Sequence, residues 1–314
     1  MGDDVRVQRL FVAILAFSSL PAAVVACGAR TGLGVPVWHD AAPPVVHKEA
    51  GVDVVEEPDA EFPPLDAAKL DANKVGCPAE TYVWAVAGDD SLVRFDPPTA
   101  SFTQIGKLTC PANGSHPFSM AVDRKGVAYV EYENGMIFQV DTADAACSKT
   151  AYVPDPTPPF SNFGMGYATV GAGPDEQLFI AADKPGTLGI LDAPLTFKID
   201  PVAVIDPELS YAELTGTGDG RLYAYWAWGG ESGSYVAELD KTTAKIIGQD
   251  YLPDVNRGVG WAFAYWGGDF WLFTTPGPEP QTTVKYDPLT KEATVVAHYK
   301  ASIVGAGVST CAPN

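Results

Sequence analysis

The sequence predicts an all-β protein whose main domain is a single β-propeller of five four-stranded blades closed into a ring. Three observations predict this fold. The chain is rich in glycine (31) and proline (27), and only 19% of its residues are charged, which favours strands and turns over helices. One pattern of strands and turns recurs five times. The first copy also lacks a strand that the C-terminus can supply.

Each copy of the pattern has an apolar stretch, an aspartate, a turn rich in proline or threonine, and a second apolar stretch. The five marker aspartates are Asp96, Asp141, Asp192, Asp240 and Asp287. Their carboxylates can accept a hydrogen bond from a backbone N–H two residues later, so we interpret them as turn formers rather than catalytic groups. About 47 residues separate successive markers, which is the size of one four-stranded blade.

Upstream of most markers lies a further pair of predicted strands, and this completes the blades. The predicted blades cover residues 116–153, 163–206, 210–252 and 258–299, with a composite blade formed by 80–108 and 302–310. The composite is expected because the first copy has too few strands and the C-terminal strand has no partner. A six-bladed ring is the alternative, but the sequence has no sixth marker aspartate.

The N-terminal segment has the pattern of an export signal. Two arginines precede a 17-residue apolar run, Leu10–Ala26, which is short for a membrane span and is interrupted by Pro21. The run ends in the sequence VVAC, which resembles the lipobox of bacterial lipoproteins. The following CGARTGL resembles the start of myxobacterial lipoproteins.

This resemblance implies that residues 1–26 are a signal peptide and that Cys27 carries lipid. The absence of aspartate at position 28 then implies an outer-membrane anchor at the cell envelope. The alternative is an ordinary signal peptide with Cys27 left as a free thiol. Residues 27–76 are rich in alanine, proline and acid and have no apolar periodicity, which predicts a disordered tether. The propeller domain is expected at 77–314.

If Cys27 is lipidated, four cysteines remain, and an exported chain is expected to pair them as two disulfides. Three connectivities are open from the count alone. The ring selects among them, because Cys77 and Cys311 flank its closure point while Cys110 and Cys147 belong to adjacent blades. We therefore expect the pairs Cys77–Cys311 and Cys110–Cys147.

The net charge of −19 restricts the partners. Residues 77–314 alone contain 28 Asp and Glu against 14 Lys and Arg. Such a surface repels phosphate backbones, so we expect no nucleic-acid partner.

Propeller geometry places a ligand site where the loops that enter the innermost strands converge. The candidates in those loops are His116, Asn162, Glu213, Asn256, Arg257 and Trp261. Glu213 is the only acid within the predicted innermost strands apart from the terminal Asp123, and a glycosidase needs two carboxyl groups. The sequence also lacks G-x-S-x-G, H-E-x-x-H and P-loop motifs. We therefore assign no catalytic residue and expect a binding role rather than an enzyme.

No cofactor is expected, with calcium as the alternative. The fragment DVNRG offers Asp254 and Asn256 as oxygen ligands, but it lacks the longer ligand series of a calcium loop, so a turn is the preferred interpretation. Several aromatic residues follow one another around Tyr223 and Tyr265, and these rings either pack adjacent blades or form a stacking platform for a ligand. We favour blade packing.

The strand, aspartate, turn and strand units over residues 77–314 are similar to those of the YncE-like and NHL-like propeller families. The resemblance implies the fold and leaves the ligand open. The leading hypothesis is a monomeric, lipid-anchored binding or scaffolding module that holds an envelope protein or glycan. A propeller hydrolase or lyase acting on a glycan or lactone is the alternative, and a purely structural envelope protein is a third.

Overall fold

The strands of the domain occur in the order that the repeat predicts. The structure, a computed structural model, describes residue 77 and residues 81–155, 159–227, 232–277 and 280–314. Within these residues lie twenty strands and one short 3₁₀ helix, Pro97–Thr99, and the strands form five antiparallel four-stranded sheets. The five sheets are the blades of a five-bladed ring, which confirms the predicted fold.

Every blade runs from an innermost strand at the axis to an outermost strand at the rim of the ring. In that order, blade 1 contains β20 (Ile303–Val308), β1 (Val83–Ala87), β2 (Ser91–Asp96) and β3 (Ser101–Lys107). Blade 2 contains β4 (Pro117–Val122), β5 (Ala128–Tyr132), β6 (Ile137–Val140) and β7 (Cys147–Lys149). Blade 3 contains β8 (Phe163–Thr169), β9 (Glu176–Ala182), β10 (Thr187–Leu191) and β11 (Ile199–Val204). Blade 4 contains β12 (Glu213–Gly216), β13 (Leu222–Trp226), β14 (Ser234–Leu239) and β15 (Ile246–Leu252). Blade 5 contains β16 (Trp261–Trp266), β17 (Asp269–Thr274), β18 (Gln281–Asp287) and β19 (Glu292–Tyr299).

Blade 1 closes the ring with strands from both ends of the domain. The C-terminal strand β20 pairs antiparallel with β1, placing Val83 opposite Val308 and Trp84 opposite Gly307. This is the predicted composite blade. Closure of this kind removes a free sheet edge that would otherwise lie exposed.

The marker aspartates form the turn between the third and fourth strands of every blade. The Oδ1 atoms of Asp141, Asp240 and Asp287 accept hydrogen bonds from the N–H two residues later, at 2.8 Å in each turn. Asp96 and Asp192 instead accept from threonine hydroxyls. A non-glycine residue with positive φ follows each marker by four or five residues. These residues are Ala100, Ala145, Phe197, Ala244 and Lys291.

The five innermost strands pack backbone against backbone around the axis, and glycines make this approach possible. A Cβ atom on Gly164 would lie 2.1 Å from the carbonyl oxygen of Ala212 on the next blade. A Cβ on Gly305 would lie 2.8 Å from the N atom of Met120, and one on Gly216 would lie 2.3 Å from the oxygen of Tyr167. We call the end of the ring where the chain enters these strands the entry end, and the opposite end the exit end.

Two disulfides lie where the ring architecture predicts them. Cys77 is bonded to Cys311 at the closure point, and Cys110 is bonded to Cys147 between blades 1 and 2. The first bond closes a loop with a sequence separation of 234 residues and the second one of 37. By the chain-entropy relation such loops contribute about 5 and about 4 kcal/mol to the free energy of unfolding.

A cluster of aromatic residues from blades 4 and 5 fills the space between those blades. The Tyr223 ring stacks on Tyr265 at 5.5 Å and meets Phe270 edge-on at 4.8 Å, while Tyr225 lies 5.5 Å from Phe263. All of these side chains are buried. Blade packing is therefore their role.

Several expectations lie outside the described residues. These are the signal peptide at 1–26, the lipid on Cys27 and the tether that ends at residue 76. Among the residues that are described, none belongs to a helix of the length and apolar character that crossing a bilayer requires.

Candidate functional site

The loops at the entry end bring the six sequence candidates to one end of the ring, but in different roles. His116 is exposed, and its Nδ1 lies 3.2 Å from Oδ1 of Asp90. Asn162 donates from Nδ2 to the carbonyl oxygens of Tyr132 and Glu133, at 3.4 and 3.3 Å. These contacts connect neighbouring loops, so both side chains support the shape of the entry end.

Asn256 closes a turn. Its Oδ1 accepts a hydrogen bond from the N–H of Gly258 at 2.8 Å, and the side chain is otherwise exposed. The geometry is that of an Asx turn, in which the amide oxygen is already engaged. Across the described ranges, no group of three or more His, Cys, Asp and Glu side chains is arranged to hold a metal ion.

Glu213 and Trp261 line a cavity of about 180 Å³ at the axis, which we call the axial cavity. Blades 1, 2, 4 and 5 all contribute to its wall. The side chains that shape it are Phe118, Glu133, Glu213, Val259, Trp261 and Val304. The cavity thus combines two carboxyl groups with aromatic and aliphatic surface, as ligand sites usually do.

Three larger clefts of about 390 to 500 Å³ lie elsewhere, each lined by residues of two adjacent blades and their connections. They are grooves of the kind that wedge-shaped blades leave as they diverge from the axis. The axial cavity is smaller, but it alone among these four is built from chain segments of four blades. We therefore take it as the candidate site.

Glu213 begins β12 and reaches across the axis to blade 2. Its Oε2 accepts a hydrogen bond from the Ser119 hydroxyl at 2.9 Å, and Ser119 Oγ accepts one from the N–H of Met165 at 3.2 Å. One serine thus links the innermost strands of blades 2, 3 and 4. The glycine at position 164 permits this arrangement, because a side chain there would collide with the backbone at Glu213.

Two further carboxyl groups lie near Glu213. Glu131 is the last residue but one of β5 and lies opposite Ser119 on β4. It is fully buried and accepts a hydrogen bond from the N–H of Phe163 at 3.2 Å. Its second oxygen, Oε1, has no hydrogen-bond partner. Asp183 follows β9, and its backbone N–H donates to the Asn162 carbonyl at 3.1 Å. We call Glu131, Asp183 and Glu213 the entry carboxyls.

Burial dominates the protonation of the entry carboxyls, because it disfavours the charged form. It raises the pKa of Asp183 from 3.8 to about 7. It raises the pKa of Glu131 and that of Glu213 well above their usual range, and the charge of Asp183 adds to both effects. The Ser119 hydrogen bond acts in the opposite direction on the pKa of Glu213. All three groups therefore hold protons at higher pH than exposed carboxyls do.

Arg257 lies beside the cavity and is held by Trp261, which is partly exposed. The guanidinium carbon of Arg257 is 4.0 Å from the centre of the Trp261 ring, and the indole N–H donates to the carbonyl of Tyr211 at 3.1 Å. Burial lowers the pKa of Arg257, while the nearby Tyr225 and Tyr211 act in the opposite direction. The stacking fixes both side chains at the rim of the entry end.

The exit end is closed by a different polar network. Glu176 accepts hydrogen bonds from the N–H of Arg124 at 2.6 Å and from the hydroxyl of Thr310 at 2.8 Å. The Arg124 guanidinium also donates to Thr310 at 3.2 Å, and the hydroxyl of Ser309 donates to the Arg124 carbonyl. Blades 1, 2 and 3 are joined there, next to the disulfide at Cys311.

Sequence reasoning placed Glu213 and Trp261 at the entry end but missed Glu131 and Asp183. It considered only the innermost strands and their entry loops, whereas Glu131 lies near the end of the second strand of blade 2 and Asp183 directly after the second strand of blade 3. The end of a second strand pairs with the start of the first in an antiparallel hairpin. Ala182, for example, lies opposite Phe163, so the hairpin register was the signal that could have found them.

Comparison with known proteins adds little beyond the fold. No protein-family model matches the sequence, and no curated protein matches it. Among solved structures the chain is similar to TolB from Acinetobacter baumannii, with a TM-score of 0.40 and 14% identity over 72% of this chain and 56% of TolB. It is also similar to Kuenenia stuttgartiensis hydrazine synthase, with a TM-score of 0.39 and 14% identity over 68% of this chain and 64% of the other. This chain therefore spans less than two thirds of either structure. Neither likeness bears on function.

Proposed function

We propose that this protein is an exported, lipid-anchored β-propeller that acts as a binding module at the cell envelope, with the entry end as its contact surface. The observation that carries the proposal is the axial cavity. It combines a nearly fully buried carboxyl group, Glu213, with a partly exposed Trp261 and the 77% exposed Val259 at its rim. Exposed apolar side chains around a polar recess are typical of contact surfaces.

Export and anchoring are supported by the cysteines. Two disulfides are the expected state of cysteines in an oxidising compartment. Cys27 is then the one cysteine without a place in the ring, directly after an apolar run that resembles a lipoprotein signal. The proposal therefore includes lipid on Cys27, an outer-membrane location and the tether of residues 27–76. We also propose that the propeller is related to the YncE-like and NHL-like families and that the domain is a monomer.

The anchor is tested by Cys27→Ser in the full chain expressed in a Gram-negative host. We expect the variant to lose incorporation of a labelled fatty acid and to move from the membrane fraction to the soluble periplasmic fraction. A double Cys110→Ser, Cys147→Ser variant is the matched control, because it loses two cysteines but should keep the label. Retention of Cys27→Ser in the membrane fraction would contradict the anchor.

The contact surface is tested with a photo-crosslinking amino acid placed at Val259. Leu195, 78% exposed on the turn between β10 and β11 at the exit end, is the matched control position. In the native envelope we expect discrete adducts with protein or glycan from position 259, their loss when Trp261→Ala is added, and no such adducts from position 195. Identical adduct patterns from the two positions would refute the entry end as the contact surface.

One observation favours hydrolase or lyase activity on a glycan or lactone as a second candidate. Burial raises the pKa of Asp183 to about 7, and a carboxyl group that keeps its proton near neutrality can serve as a general acid. If the protein is such an enzyme, the wild type should turn over a glycan or lactone, and Asp183→Asn should abolish this activity while the variant remains folded. Sensitivity of that turnover to a calcium chelator would show whether calcium takes part.

A further inference from the structure

We propose that the axial cavity binds an organic ammonium ion, a protonated primary amine on a short apolar stem, with its charge toward Glu213 and its stem between the apolar walls. This deepens the proposed binding role and rests on it. A lysine side chain of a partner and a free alkylamine share this chemistry.

The first argument is that no cation in the described part of the chain faces the carboxyl groups in and beside the cavity. Within the described part of the chain, no cationic side chain acts on the pKa of any entry carboxyl. Glu131 is completely buried, and its Oε1 has no hydrogen-bond partner. Buried carboxyl groups are normally paired or fully hydrogen-bonded. A cation in the cavity supplies the positive charge that stabilises the ionised form of Glu213.

The second argument is the position of the nearby cations of the protein itself. His116 lies against Asp90, and the Arg257 guanidinium stacks on the ring of Trp261. Neither of them lines the cavity. The titratable groups that do line it are Glu133 and Glu213. The wall therefore offers acidic groups and no positive charge, so a cationic ligand fits the cavity better than an anionic one.

The third argument is the size and the chemistry of the wall. A volume of about 180 Å³ equals about six water molecules at their share of liquid volume, which suits an ammonium group with a few methylenes. Phe118, Trp261 and Val304 supply apolar contact for such a stem, and an aromatic face attracts a cation. A hard metal ion would need several oxygen ligands around one point, and the described side chains do not form such a group.

The test is a titration of the folded domain with n-butylammonium at low ionic strength, followed by calorimetry and by tryptophan fluorescence. We expect saturable binding with a Kd on the order of 1 mM, as fits a ligand of so few atoms. The neutral analogue n-butanol should bind at least tenfold more weakly. N-acetyl-lysine amide tests the peptide source, and binding of it but not of n-butylammonium would assign the site to partner lysines.

Glu213→Gln should weaken n-butylammonium binding at least tenfold, because glutamine keeps the shape and can still accept from Ser119 but carries no charge. Glu176→Gln is the matched control at the exit end and should change the Kd less than twofold. Trp261→Leu is the second variant and should also weaken binding if Glu213→Gln fails to fold. Equal binding of butanol, unchanged binding by both cavity variants, or absence of saturable binding by both amines would overturn the proposal.

These outcomes separate the inference from the proposed function. If crosslinking from Val259 succeeds while both amines fail to bind, the binding module stands and the ligand class is wrong. If crosslinking also fails, the entry end is not a contact surface and both proposals fall.

Discussion

Asp183→Asn should flatten the dependence of stability on pH, because this carboxyl group is half-buried at the entry end without a compensating charge. The substitution is nearly isosteric and leaves the backbone contacts of the residue in place. Its N–H still donates to Asn162, and its carbonyl still accepts from Tyr211 at 3.0 Å. What the variant removes is a proton-binding group whose pKa is raised from 3.8 to about 7 by burial.

The raised pKa of Asp183 determines how stability changes with pH. Since the folded state binds this proton more tightly than the unfolded state does, the contribution to stability is fully present below about pH 3.8 and is lost as the pH rises to about 7. Each pKa unit corresponds to about 1.4 kcal/mol. Between pH 5 and pH 8 the loss is therefore about 3 kcal/mol before solvent screening is considered. Because the side chain is partly exposed, we expect about 1.5 kcal/mol.

Urea denaturation of the disulfide-intact domain at pH 5 and pH 8 measures this difference. The free energy of unfolding of the wild type should fall between the two pH values by about 1.5 kcal/mol more than that of Asp183→Asn. Glu131 and Glu213 titrate in the same direction, but they are present in both proteins. Removing the charge of Asp183 also lessens its effect on the pKa of each, which flattens the variant's profile further.

Asp240→Asn is the control. Hydrogen bonds from Thr242 lower the pKa of Asp240 to about 2, so this group is ionised in the folded and unfolded states alike at pH 5 and above. The free energy of unfolding of Asp240→Asn should therefore change between pH 5 and pH 8 by the same amount as that of the wild type. An Asp183→Asn variant with the same pH dependence as wild type would show that the carboxyl group is not buried as described, and the entry carboxyls would lose their physical basis.

Two further predictions concern the ring itself. Gly164→Ala should destabilise the domain by roughly 1–3 kcal/mol, because its Cβ would lie 2.1 Å from the Ala212 carbonyl oxygen. Gly173→Ala, where a Cβ meets nothing within 4 Å, should stay within about 0.5 kcal/mol of wild type in the same thermal or urea unfolding experiment. Equal effects would show that the innermost strands are not in close contact. Replacing Cys110 and Cys147 together by alanine should lower the free energy of unfolding by roughly 2–4 kcal/mol. Urea unfolding curves of the oxidised wild type, the reduced wild type and the variant check this. Coincident curves for the oxidised wild type and the variant would show that the Cys110–Cys147 bond does not stabilise the domain.

The ring could be predicted because its signals are local. A marker aspartate and the turn that it stabilises lie within a few residues of each other, so the sequence displays them directly. Closure could also be predicted, since an incomplete first blade and an unpaired last strand complement each other. One feature of the turns could not be predicted from the sequence, namely which residues adopt positive φ. The residues with positive φ include Phe197 and Lys291, which are not the glycine or asparagine that sequence rules look for at such positions.

The candidate site could be predicted only in part, because its residues come from two kinds of position. Glu213 and Trp261 begin innermost strands, so the repeat alone places them at the entry end. Glu131 and Asp183 reach the same end from second strands, and that placement depends on hairpin register. Burial decides the unusual protonation of Asp183, and burial comes from the packing of neighbouring blades. No local sequence signal reports it.

The acids at the two ends of the ring differ in how fully they are hydrogen-bonded, and this contrast is the strongest reason to place the ligand at the entry end. Glu176 at the exit end accepts from both Arg124 and Thr310, so each of its oxygens has a donor. Glu131 at the entry end has one donor for two oxygens. An unsatisfied buried carboxyl group costs stability, and the exit end shows that this fold can hydrogen-bond both oxygens of a half-buried acid. Among the described residues, the buried carboxyl oxygen without a partner lies at the entry end, the end that also carries the cavity lined by Glu133 and Glu213. A cationic ligand in that cavity would offset part of this cost.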